Sequence, residues 1–295
     1  MKRHYALLGI AILLYGAFAT VPYATAAIGP SLLLKLSTLT GREVQNPQGA
    51  KIGKIEDVVI DAASGQISYA VLSFGGFLGI GESWVVMPWR SLQTMHRGQT
   101  FTLDMSEEQL KNAPKFDPNQ WPDMEDLHWG DTIHVYYGQV PYWRQQLPPT
   151  AAHEKAESPQ FQLLRSEQAR RHEVINTRGQ RIGKIEDIVI DTTLGDIAYA
   201  VLSFGGFLEL GEKWFAVPWS AFEPSPGFRT LTLDVSKEAL KKAPGFDKNN
   251  WPEMTDRSWA TAVHDAFGQP LYWDRHKGVN KAPEIGDKAP KQPTK

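Results

Sequence analysis

Two histidines occupy matching places in the chain, His134 and His264, and three carboxylates recur likewise, Glu56, Asp57 and Asp61 returning as Glu186, Asp187 and Asp191. These residue types carry much of metal and proton-transfer chemistry. A zinc site needs three or four ligands, however, and no second histidine recurs, because His96 faces Pro226 and His128 faces Ser258. A surface or hydrogen-bonded structural role is the default for both histidines. Paired carboxylates in a glycosidase straddle a substrate and need one raised pKa, and nothing in the sequence supplies an enclosing pocket. Alternation along a strand sends Asp57 and Asp61 to one face and Glu56 to the other. A cation shared by Asp57 and Asp61 would lack the six or more oxygens that calcium takes, so a solvated face or turn capping is expected. Ser73 and Ser106 recur as well, yet neither lies in a Gly-x-Ser-x-Gly elbow, and a triad also needs a base and an orienter. No catalytic residue, cofactor site or metal site is therefore assigned.

The segment Phe74-Gly75-Gly76-Phe77-Leu78-Gly79-Ile80-Gly81-Glu82 is rich in glycine, as phosphate-cradling loops are. It lacks the Gly-Lys-Ser/Thr ending, and Glu209 replaces Gly79 in the second copy, where it would repel an anion. A hairpin or bulged connection fits better, with glycines supplying positive φ and Phe77 and Leu78 near the tip. An apolar tip present twice, as Phe77-Leu78 and Phe207-Leu208, either docks a partner or folds back to plug its own module. Six aromatic positions also recur: Trp84, Trp89, Trp121, Trp129, Tyr142 and Trp143 return as Trp214, Trp219, Trp251, Trp259, Tyr272 and Trp273. Rings of that size mostly pack, but Trp dominates binding hot spots, which makes Trp121 and Trp251 candidates for partner binding alongside the two loop tips.

These correspondences are parts of one repeat. A shift of 130 residues lays Glu43–Trp143 on Glu173–Trp273 without a gap, with about half the positions identical. Gly53-Lys54-Ile55-Glu56-Asp57 returns as Gly183 to Asp187, and Tyr69 to Leu78 returns unchanged as Tyr199 to Leu208. Units of roughly 100 residues can each close a core, so two domains are expected rather than a solenoid. The expected layout is a signal peptide over 1–26, a first domain over 31–143, a linker over 144–160, a second domain over 161–273 and a disordered tail over 274–295. Pro148-Pro149 and mixed charges mark the linker, while scattered Lys and Pro with almost no large apolar residue mark the tail.

Within a copy, β-branched and aromatic residues gather in short runs bounded by turns. Strands are expected at Ile55–Asp61, Ile67–Phe74, Ser83–Met87 and Thr100–Asp104, with Val44 and Ile52 marking an earlier strand or pair. Closure of each set into its own separate barrel would protect the edges. Helix is scarce in this reading: Ser106-Glu107-Glu108-Gln109 opens one short helix with a capping-box spacing, and the second copy weakens that cap with Ala239.

The formal net charge of -2 offers no basic field for a phosphate backbone, which argues against nucleic acid as a partner. Cysteine is absent, so disulfides, thiolate metal sites and a cysteine nucleophile are excluded together. At the N-terminus Lys2, Arg3 and His4 precede an apolar run over Ala6–Ala19, and Ala24-Thr25-Ala26 offers a cleavage site. A periplasmic or secreted location follows. The alternative is an uncleaved inner-membrane anchor, the one route to membrane association, although Pro22, Gly29 and Pro30 interrupt the run of about 20 apolar residues that spanning needs.

Together these residues resemble the PRC-barrel family, named for the cytoplasmic barrel of the H subunit of the photosynthetic reaction centre and also found in a ribosome maturation factor. The resemblance rests on Gly49, Gly53-Lys54-Ile55-Glu56-Asp57, Asp61, Gly65, Ser73 to Leu78 and Val86-Met87-Pro88-Trp89, with Ala216-Val217-Pro218-Trp219 closing the second copy. Ala113 to Asp117 and Trp121-Pro122-Asp123-Met124 are similar to the extension of stand-alone bacterial members. The sequence departs from the family where Arg170-Arg171-His172 replaces Thr40-Gly41-Arg42. The resemblance implies a mainly β fold of two tandem small PRC-type β-barrels, each with a short helix and a Trp-Pro-rich extension. It also implies adaptor work without shared catalytic residues, on a protein or envelope partner. Two alternatives stay open, a self-associating structural or stress-related envelope protein and a metal- or small-ligand-binding protein.

Overall fold

The computed structural model describes residues 32–75, 83–95, 98–145, 161–204, 213–236 and 242–276. The expected signal peptide, most of the linker and tail, the loop residues Phe77, Leu78, Phe207 and Leu208, and the second copy's short helix lie outside these. The first repeat runs β1 (Leu33–Lys35), β2 (Glu43–Gln45), β3 (Lys51–Asp61), β4 (Gln66–Phe74), β5 (Ser83–Pro88), β6 (Leu92–Met95), β7 (Thr100–Leu103), α1 (Glu107–Asn112), β8 (Lys115–Phe116), α2 (Leu127–Tyr136) and α3 (Tyr142–Gln145). The second runs β9 (Leu163–Arg165), α4 (Ser166–Ala169), β10 (Glu173–Ile175), β11 (Arg181–Asp191), β12 (Asp196–Phe204), β13 (Trp214–Pro218), β14 (Phe222–Pro224), β15 (Leu231–Leu233), β16 (Gly245–Phe246) and α5 (Arg257–Ala266).

The β3–β4 hairpin is the spine of the first repeat, as the runs of Val and Ile predict. Its turn closes because Gly65 adopts φ +71°, a left-handed value that costs glycine little. Gly53 answers a different need: a Cβ there would lie 2.7 Å from the Ser73 carbonyl oxygen, so only a bare backbone lets the strands approach. A register shift between Ile55 and Asp57 puts a bulge into β3 at Glu56, one between Val59 and Ile60 puts a bulge into β4 at Ser68, and β11 and β12 repeat the two at Glu186 and Ala198. The predicted capping box on α1 is present, Gln109 N donating to Ser106 Oγ at 3.1 Å and Ser106 N to Gln109 Oε1 at 2.8 Å.

Two expectations need correction. The repeats do not form separate closed barrels. Both belong to one sixteen-stranded sheet, joined where β4 meets β12 at Gln66 and Asp196. Among the described residues the ladder does not close either, since the second neighbour of β5 is β8 rather than β6. Pro88 ends β5 without an N–H to donate, and the chain turns through Trp89–Ser91 into β6. Helix is also more plentiful than expected, because the Trp-Pro extensions carry the ten-residue helices α2 and α5. The overlooked signal is the N-cap: Asp126 accepts from His128 N, and Asp256 from Ser258 N and Trp259 N.

The ends of the repeats also reach further than expected. Arg144, placed in the linker by sequence, lies 2.6 Å from Asp131, and Asp274 and Arg275, placed in the tail, form a turn of 3-10 helix over Tyr272–His276. Both segments are held by bonds that composition does not reveal.

Apolar residues of both halves form one contiguous buried cluster, with Ile55, Leu72 and Phe101 from the first and Ile185, Leu202 and Leu231 from the second. Each half adds a second cluster on the opposite sheet face: Val59, Tyr69 and Ile133 in one, Val189, Tyr199 and Val263 in the other. The Trp-Pro extension packs there. The sheet is thus covered on both sides, which is why β4 and β12 are buried along nearly their whole length.

Candidate functional site at the junction of the repeats

Residues expected to be solvated are buried at the seam between the halves. Asp57, Asp61, Asp187 and Asp191 are 4, 3, 5 and 0% exposed, so the solvated-face reading fails. Val58 and Ile60 point to the large common cluster, while Val59 between them belongs to the smaller one. Alternation then sets Asp57 and Asp61 on the side of Val59, where an unpaired carboxylate would be costly.

The pairing comes from the other repeat. Strand β9 opens the second repeat but lies along β3 of the first, with Val59 opposite Arg165, Ile60 opposite Leu164 and Asp61 opposite Leu163. Strand β1 does the converse, pairing Leu33, Leu34 and Lys35 with Asp191, Ile190 and Val189 of β11. The two repeats have exchanged their leading strands. Asp57 accepts from Ser166 N at 3.1 Å, from Ser166 Oγ, and from Arg165 Nε at 3.0 Å. Asp187 accepts from Ser37 N at 3.1 Å and from Ser37 Oγ, with Arg170 Nε 3.8 Å away. Such charge-assisted bonds are roughly twice as strong as neutral ones, and these lie where water does not compete.

Turn capping accounts for the other pair. Asp61 accepts from Ala63 N and Ser64 Oγ in its own turn and from Gln162 N of the second repeat at 3.2 Å. Asp191 accepts from Thr193 N at 2.9 Å and Leu194 N at 3.0 Å. Between the turns, Ile67 N donates to the Gly195 carbonyl and Ile197 N to the Gly65 carbonyl, both at 2.8 Å. Trp219 Nε1 donates to the Ala62 carbonyl at 3.0 Å, and a Cβ on Gly65 would meet the same indole at 2.7 Å. Arg275 donates to the carbonyls of Ser64 and Ile197 and lies 3.9 Å from the buried Asp196.

The remaining candidates are engaged locally. Ser73 Oγ donates to Glu56 at 2.7 Å, and Lys54 lies 3.1 Å from the same oxygen. Ser203, Glu186 and Lys184 repeat the set. His134 is buried, not at the surface: its Nδ1 lies 2.8 Å from the Gly130 carbonyl, and its ring centroid is 4.9 Å from that of Trp143. His264 is equally buried, between Tyr199 and Tyr272. Burial pulls both imidazoles below the ordinary histidine pKa, because charging them there means losing hydration. Among the described residues no three of His, Cys, Asp and Glu gather as a metal ion would require.

Trp121 and Trp251 are half-buried and stacked, each under a cation from the opposite repeat. Arg165 lies 3.9 Å from the Trp121 ring centroid, and Lys35 lies 3.5 Å from that of Trp251. Each indole also donates to a carbonyl three residues earlier, Pro118 and Lys248, and packs edge-on to Phe116 or tilted to Phe246. Sequence reasoning missed Ser37, Ser166, Arg165 and Arg275, and it singled out Trp219 only as a recurring ring and motif residue, not as a bond across the junction. A signal for the leading strands exists, since Leu33-Leu34-Lys35 and Leu163-Leu164-Arg165 obey the same shift of 130 residues.

The fold and this junction define a class: a duplicated, mainly β small-barrel protein whose halves complete one another. The PRC-barrel domain profile matches residues 33–110 and 165–240, just over half the chain, and the chain belongs to the PRC-barrel family. The two matches bear out the tandem duplication. No curated protein matches the chain.

Proposed function

We propose that the chain is an exported, non-catalytic binding protein whose two PRC-barrel modules together dock a protein or envelope partner. One observation carries this reading: the recurring carboxylates, with Ser73 and Ser203, are engaged in structural bonds. Asp57 and Asp187 hold the leading strands, Asp61 and Asp191 cap turns, and Ser73 and Ser203 bond Glu56 and Glu186. What the duplication repeats is then surface rather than a reacting centre. The segments that follow β4 and β12 in the sequence carry the recurring Phe-Leu pairs, and a fixed junction lets two modest surfaces act with the avidity of a linked pair. The basic start, apolar run and Ala24-Thr25-Ala26 support export with cleavage after Ala26.

The test is capture from envelope extracts by the full chain, beside a variant carrying Phe77→Ala, Leu78→Ala, Phe207→Ala and Leu208→Ala. The expected outcome is periplasmic recovery of the shortened chain and a loss of about thirtyfold in capture of the same partner, the size that one lost hot spot of about 2 kcal/mol produces. Undiminished capture by an equally stable variant would remove the loops from the site, and cytoplasmic retention would remove export.

A further inference from the structure

The strip of β3 between Asp57 and Asp61 is a binding site already filled, and what fills it is not part of the repeat it completes. Strand β9 reaches it from beyond residues 146–160, and β1 reaches the matching strip of β11 from the opposite end of the chain. The two occupants differ in sequence, Leu33-Leu34-Lys35-Leu36-Ser37 against Leu163-Leu164-Arg165-Ser166, yet they dock in one register. Recognition is therefore of a pattern. Backbone pairing supplies the extended ladder, paired leucines pack, a basic side chain stacks on Trp121 or Trp251, and a following serine donates to Asp57 or Asp187.

We infer that the β3 and β11 strips are strand-acceptor sites, and that the partner they fit is the leading strand of a second copy of this chain. Each chain carries two donors and two acceptors, so a second copy offers every contact that the first copy makes with itself. Nothing in the acceptor distinguishes a strand arriving from its own chain from one arriving from a neighbour. The covalent link alone decides, and linkage gives the chain's own strand an effective concentration on the order of millimolar. Exchange between copies then grows with chain concentration and sets in whenever chains open and reclose together, as they do on refolding from denaturant.

The absence of cysteine makes the test clean. Ile60 and Leu164 face each other across β3 and β9 and share one apolar cluster. Full chains carrying Ile60→Cys alone and Leu164→Cys alone are unfolded, mixed, refolded together and oxidised, from about 1 µM to about 1 mM, which brackets that effective concentration. The expected product is a two-chain species whose disulfide joins positions 60 and 164, its yield rising roughly tenfold per tenfold rise in concentration at the dilute end. The chain bearing both substitutions, which closes within itself, shows that the geometry permits the bond. The pair Leu34→Cys and Ile190→Cys repeats the test at the β11 strip. Absence of the two-chain disulfide at every concentration, with both doubly substituted chains closing normally, overturns the inference.

Discussion

The Asp57 and Asp187 junctions stand one repeat apart and do the same work with different partners. At Asp57 the incoming segment brings both the guanidinium and the serine, with Arg165 Nε at 3.0 Å and Ser166 donating through both its N–H and its hydroxyl. At Asp187 the serine is Ser37, one position further along than the 130-residue shift would place it, and the nearest guanidinium, Arg170, belongs to the same repeat at 3.8 Å. Leu36 stands where Ser166 would be, and a short 3-10 turn over Leu36–Thr38 replaces α4 and brings Ser37 to the carboxylate. The acceptor has kept its residue, its bulge and its burial, whereas the donor has drifted. A buried carboxylate is intolerant of being left alone, but indifferent to which donor satisfies it.

That contrast can be broken by removing each acceptor in turn. Asp57→Ala strands Ser166 N and leaves the part-exposed Arg165 with only its stack on Trp121, and the expected loss is about 3 kcal/mol, the upper range for bonds to a charged group. Asp187→Ala loses the Ser37 bonds but no close guanidinium, so its loss is smaller, about 2 kcal/mol, as for bonds to a charged group. Urea denaturation of the full chain ranks them, and a larger loss for Asp187→Ala would reverse the comparison.

The cations give the next largest effect. Arg165→Ala removes both an ion pair and a stacked guanidinium from Trp121, while Lys35→Ala removes only the stack on Trp251. About 1.5 kcal/mol is expected for Arg165 and about 0.5 kcal/mol for Lys35. Indole fluorescence should report both. Equal losses would mean that the Arg165–Asp57 bond adds nothing to the stack.

The one stabilising effect sharpens the comparison at the backbone. Gly41 and Arg171 are equivalent, and both N–H groups donate to an Ile carbonyl, of Ile55 and Ile185. Gly41 does so at φ +83° and Arg171 at φ +68°, a left-handed conformation that costs a residue with a Cβ roughly 1 kcal/mol. Arg171→Gly should therefore raise stability by up to about 1 kcal/mol, offset in part by the greater freedom of glycine in the unfolded chain. A clear loss of stability would show that the arginine side chain contributes more than its backbone strain costs.

Much of the fold was legible because its causes are local. The β3–β4 hairpin follows from β-branched runs and a glycine turn, the α1 cap from Ser106 and Gln109, and the two modules from the repeat itself. The candidate site was legible only in composition. The carboxylates and tryptophans were singled out, but alternation along a strand says which face Asp57 takes and not what covers it. Its cover comes from Ser166, 109 positions away, and no local pattern encodes a partner at that distance. The same ignorance of long-range pairing made each repeat look like a closed unit, when the strand that completes it comes from the other.

The exchange of leading strands is tested most directly by two paired substitutions in the cysteine-free chain. Exchange sets Leu34 opposite Ile190, whereas a strand kept within its own repeat would set Leu34 opposite the equivalent residue, Ile60. Dilute monomer carrying Leu34→Cys with Ile190→Cys should form an internal disulfide on oxidation, and monomer carrying Leu34→Cys with Ile60→Cys should stay reduced. Closure of the second pair with the first left open would contradict the account.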